Sequence, residues 1–141
     1  MSYTADQLIE KLKQSKAKLR TEEIACDAIE KGFKFIIKEL DGGLLDHWNR
    51  CFEAIIKDRA NEKRTGSAER LVIALSLVDQ GGSRCFKPDD FKAHAAIDEM
   101  PSQIREMLAD NCYRISRMRK KDKEDTAKNS GQTPESDSGS T

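Results

Sequence analysis

The sequence predicts an α+β fold: one predominantly α-helical domain with a small β-hairpin and a disordered C-terminal tail. Three observations predict it. Apolar residues recur at helical spacing along most of the chain. One stretch, residues 21–40, alternates instead and holds a glycine at its centre. Apart from Ala127, apolar residues then stop after Arg119. The expected division is a helical domain over 1–119, with the hairpin at about 22–40, and a polar tail over 120–141.

The elements follow in order. Thr4 caps a first helix whose Leu8, Ile9 and Leu12 share one face. It frays where lysines gather, from Ser15 to Lys18. As a single helix, residues 21–40 would hold Gly32 in the interior, at a cost of about 1 kcal/mol. As two strands, Ile24, Cys26 and Ala28 fall on one side, and Phe33, Phe35 and Ile37 fall on one side of the next. Gly32 then sits in the turn, where its freedom is useful. A lone hairpin is marginal in water, so this one is expected to pack on helices or pair with another subunit.

Asp41 caps the next helix, and Leu44, Leu45, Trp48, Phe52, Ile55 and Ile56 form its stripe. In such a stripe Trp48 is a core anchor or an interface residue. Lys57 to Gly66 reads as a solvent loop. Ser67 caps a helix that is apolar nearly all round through Val78, the mark of a central helix. A turn at Gly81 and Gly82 follows, and Cys85 and Phe86 are expected to return to the core. Pro88 opens a short helix through about Ile97. Pro101 opens the last, with Ile104, Met107, Leu108, Asn111, Ile115 and Met118 on one stripe and Cys112 beside it. Lys120 to Thr141 holds too little apolar surface to offset its ordering entropy.

Composition narrows the function classes. Twenty-five basic residues balance twenty-five acidic ones, which gives no general case for nucleic acid or an anionic membrane as partner. No run approaches the roughly 18 apolar residues of a membrane span, and the N-terminus lacks an apolar signal core. Cys26, Cys51, Cys85 and Cys112 are widely spaced, which predicts reduced thiols in a cytosolic protein.

Chemistry has few candidates. His47 and Cys51 stand four apart, as do Asp90 and His94, and each pair could face one metal ion from a helix. No closely paired four-ligand pattern accompanies them, so surface or core roles fit better, and no metal or other cofactor is expected. No nucleophile elbow, phosphate loop or dinucleotide fingerprint occurs, so no enzyme activity and no catalytic residue is expected. Arg114, Arg117, Arg119, Lys120 and Lys121 form a basic patch at a helix C-terminus, where the helix dipole favours cations. The same patch would serve a small nucleic-acid-binding regulator, though Asp122, Glu124 and Asp125 follow at once.

The order of motifs resembles a tail assembly chaperone of long-tailed phages, of the type represented by the lambda tail G protein. The likeness rests on Lys38, Glu39 and Leu40 before a helix, then on Leu71, Val72, Leu77, Val78, Asp79, Gly82, Phe86 and Asp90. It continues at Tyr113, Arg114, Ile115, Ser116 and Met118, and covers roughly residues 20–120. The chain departs from the family at Lys87, where Thr or Ser is often found, and at Cys85, where Leu is more usual.

The resemblance implies a homo-oligomer in the host cytoplasm that binds and solubilises the tape measure protein and is absent from the finished virion. It also implies a frameshift-extended form that recruits the tail tube protein, with the present chain as the short form. For partner binding or self-association, the residues selected are Phe33, Phe35 and Ile37 of the hairpin, Leu44, Trp48 and Phe52 of the following helix, and Arg114 and Arg117.

Overall fold

Five α-helices and one two-stranded antiparallel sheet make up the described residues, 2–59 and 67–118, of the computed structural model. In chain order they are α1 (Ala5–Gln14), β1 (Thr21–Ala25), β2 (Lys34–Lys38), α2 (Gly42–Lys57), α3 (Ala68–Ser76), α4 (Phe91–Asp98) and α5 (Ser102–Ile115). A 3₁₀ turn, Ser15–Lys18, joins α1 to β1. The expected disordered tail and most of the expected loop before Ser67 lie outside the described residues.

Local chemistry starts most helices. The Thr4 hydroxyl accepts from Gln7 N–H while the Gln7 side chain accepts from Thr4 N–H, a reciprocal capping box. The carboxylates of Asp41 and Asp90 and the hydroxyl of Ser67 cap α2, α4 and α3 by accepting from the N–H three residues on, without the reciprocal bond. At the fourth helix the sequence reading was early: Pro88 lies in the preceding turn and Asp90 holds the cap.

The predicted hairpin forms. Thr21 faces Lys38 and Ala25 faces Lys34. Its connection is wider than a two-residue turn. Cys26 N–H donates to Phe33 O at 2.8 Å, and Gly32 N–H donates to the Asp27 carboxylate at 3.0 Å. Gly32 takes a φ of +81°, a conformation natural to glycine. Ile24, Cys26 and Ile37 are buried on the inner face, whereas Ala28 belongs to the turn and is exposed.

α3 is the centre of the fold, with Leu71 to Ser76 all buried. It packs against α2, α4 and α5. Its end differs from the periodicity. The helix stops at Ser76, and Leu77 and Val78 turn extended to join the sheet beside β2. Val78 N–H donates to Ile36 O at 3.0 Å. Val78 also bridges Arg84, and Cys85 N–H donates to Leu77 O. The hairpin is thereby supported within its own chain. The Asp79 carboxylate, accepting from Gly81 and Ser83 N–H, holds the intervening turn. This route leaves Cys85 exposed and Phe86 half-buried, so Cys85 does not return to the core.

Arg84 locks the junction. Its guanidinium donates to the carbonyls of Lys38, Leu75 and Glu39, at 3.0, 3.2 and 2.6 Å. α5 closes the other side. Leu108, Ala109, Cys112 and Ile115 enter the core, so Cys112 lies in the stripe rather than beside it. Ser116 Oγ accepts from Leu40 N–H, and Arg20 donates to Ile115 O.

Candidate functional site

Two of the selected aromatics line a groove. Phe33 and Phe35 meet edge to face with ring centres 4.9 Å apart. With Leu77, Val78 and Phe86 they line an apolar groove of about 370 Å³ beside β2. Lys34, Asp79 and Gln80 stand at its polar margin. The sheet places the phenylalanines two residues apart, and the extended turn after α3 supplies the opposite wall.

A second apolar surface lies on α2. Trp48 and Phe52 stack with centres 5.0 Å apart and planes 10° from parallel. Trp48 is half-buried: its indole N–H donates to Ala68 O at 2.9 Å, and Tyr113 meets it edge-on. Phe52 and Ile56, one turn apart, are exposed. Leu44 packs half-buried against the core at the start of the helix.

The other selected residues lie elsewhere. Ile37 is fully buried in the core and offers no surface in the monomer. Arg114 forms a bidentate pair with Glu22, with Nη1 2.9 Å from Oε2, and also donates to Asn111 Oδ1. Arg117 is exposed at the end of α5 with a φ of +56°. Arg119, Lys120 and Lys121 lie outside the described residues.

The candidate metal ligands serve their own helices. Asp90 caps α4, and His94 is buried with Nε2 2.9 Å from Pro88 O. His47 Nε2 lies 3.7 Å from Cys51 Sγ on α2. Among the described residues, no three or more His, Cys, Asp or Glu side chains gather as a metal site. Burial pushes the Cys51 thiol above its ordinary range. Cys85 is also raised, by burial and then by the Asp79 carboxylate. Cys112 is pushed up to about 12 by burial. All three are therefore thiols rather than thiolates near neutral pH. The available chemistry is apolar contact rimmed by charge.

Two features escaped the sequence reading. Arg84 carries no local signal, because its three acceptors lie in β2, the segment after it and α3. The opposite wall of the groove also escaped, because only the early end of α3 swings Leu77 and Val78 towards Phe35.

Comparison with family models, with curated proteins and with solved structures finds no match to this chain. No helix among the described residues is long and apolar enough to cross a membrane.

Proposed function

We propose that this chain is a tail assembly chaperone of long-tailed phages, which binds the tape measure protein and keeps it soluble until the tail tube forms around it. The groove of Phe33, Phe35, Leu77, Val78 and Phe86 is the observation that carries the reading. Three of those residues, Leu77, Val78 and Phe86, are also among the positions that carry the sequence resemblance. A groove of this kind suits the apolar face of a client helix, and Lys34 and Asp79 at its rim suit the polar flanks. The Trp48–Phe52 stack offers a second apolar contact.

In this reading the protein works as a homo-oligomer in the host cytoplasm and leaves before the virion is complete. A frameshift-extended form would recruit the tail tube protein. The nucleic-acid reading has less support, because the Arg114 guanidinium is occupied by Glu22 and Asn111.

Co-expression with tape measure fragments tests the proposal. Soluble complex is expected, and Phe35→Ser with Phe86→Ser should reduce it severalfold while the purified domain keeps its helical circular dichroism. Insolubility of every fragment with the wild-type chain would refute the reading. A salt-dependent gel shift with duplex DNA would favour the regulator instead.

A further inference from the structure

The first helix adds no residue to the core, and only its last turn, at Leu12 and Lys13, borders a groove with Leu40 and Asp41 to Gly43. α1 has ten residues and none is buried. Leu8, Ile9 and Leu12 are 50%, 49% and 64% exposed, although they form one continuous apolar stripe. Isolated helices this short are marginal in water even with good caps. The stripe therefore needs a cover to hold the helix.

The charges beside the stripe identify the cover. Asp6 and Lys13 are seven residues apart, so they lie on the same flank of the helix, next to Ile9 and about 10 Å apart along the axis. Neither pairs with another described residue. When two such helices run antiparallel, the same flank of each faces the other. A two-fold axis between Ile9 and Glu10 then sets Asp6 of each copy opposite Lys13 of the other. Parallel helices would set that flank against the opposite flank of the partner, and the Asp6–Lys13 pairs would not form.

We propose that α1 is a self-association arm, pairing antiparallel with α1 of a second copy of this chain through Leu8, Ile9 and Leu12, with two reciprocal Asp6–Lys13 ion pairs. An interface that repeats one patch on both partners has the symmetry of a closed dimer. The patch is small beside a standard interface, so the pairing is weak and concentration-dependent. The arm deepens the self-association in the proposed function and rests on that part alone.

Sedimentation of the full chain, in a concentration series reaching the millimolar range, tests it. A reversible monomer–dimer equilibrium is expected. Leu8→Glu should weaken it at least tenfold. Asp6→Lys and Lys13→Asp should each weaken it by about threefold to tenfold, and the double exchange should restore it. Because α1 buries nothing in the monomer, all four variants should melt at the wild-type temperature at concentrations where the wild type is monomeric.

A strict monomer, or a dimer indifferent to Leu8→Glu, would overturn the proposal. Single charge variants without effect would exclude the antiparallel arrangement. Leu8-dependent binding to vesicles of phosphatidylglycerol and phosphatidylcholine by a monomeric chain would assign the stripe to lipid instead. Retained solubilisation of the tape measure protein by a strictly monomeric wild-type chain would reject the arm but not the chaperone. A dimer that fails with every client fragment would do the reverse.

Discussion

Arg84 Nη2 donates to the carbonyl oxygen of Glu39 at 2.6 Å, tying two segments 45 residues apart. The same guanidinium serves Lys38 O and Leu75 O, so the end of the hairpin, α3 and the turn after it share one donor group. Burial lowers the arginine's proton affinity, and the Asp41 carboxylate offsets part of that. Arg84→Met keeps the stem and removes the donors, leaving three carbonyls without this partner. The expected loss is about 2–3 kcal/mol in urea unfolding, and Arg84→Lys should lose less. A loss below about 0.5 kcal/mol would mean that water replaces the guanidinium fully.

The pair of Glu22 and Arg114 predicts a pH dependence. Hydrogen bonding to Arg114 holds the Glu22 carboxyl below its ordinary value, against a smaller opposing effect of burial. A carboxylate depressed in the folded state stabilises the protein above its unfolded value, near pH 4.3. That contribution disappears as pH falls through the lower folded value. The Glu22 side chain is 40% exposed, so screening limits the effect to about 0.5–1 kcal/mol. Glu22→Gln should be less stable than wild type at pH 7. The difference should shrink below pH 4.3 in melts that step downward. A gap that stays constant to pH 2 would rule out the pair as its source.

Arg117 offers the opposite case, a residue whose replacement should help. It occupies the left-handed region, with Met118 N–H donating back to Tyr113 O and Arg117 N–H to Arg114 O. This helix ending favours glycine. Arg117→Gly should raise stability by about 0.5–1 kcal/mol, whereas Arg117→Ala should not. Paired thermal melts decide it, and equal values for Gly and Ala would show that backbone strain is absent there.

Thiol reactivity should rank the cysteines by exposure. Cys85 is exposed, Cys51 is half-buried, and Cys26 and Cys112 are buried. A disulfide-exchange reagent at pH 8 should label Cys85 first, more slowly than free cysteine because its thiol is raised. Cys112 should react only on unfolding. Immediate labelling of Cys112 in the native protein would contradict its place in the core.

The legible parts of the fold were those set by neighbours in sequence. Asp41 and Ser67 announce their helices because each cap acts within three residues. The hairpin was legible because alternation and Gly32 agree. The end of α3 was not. Leu77 and Val78 continue a helical pattern, yet β2 offers them backbone partners 40 residues away. Ile37 shows the same limit in the candidate site. Alternation gives its side of the strand but not whether α3 and α5 cover that side. The reverse holds for α1, whose apolar stripe was plain while its isolation from the core was not.

The contact between Arg20 and Ile115 has a geometric consequence. Arg20, just before β1, and the final turn of the last helix meet within a single side chain's reach. Cargo tethered past Met118 would share a neighbourhood with the arm's root, where even a loose linker keeps local concentration high. The end of α5 and the segment that joins α1 to β1 are therefore neighbours in space.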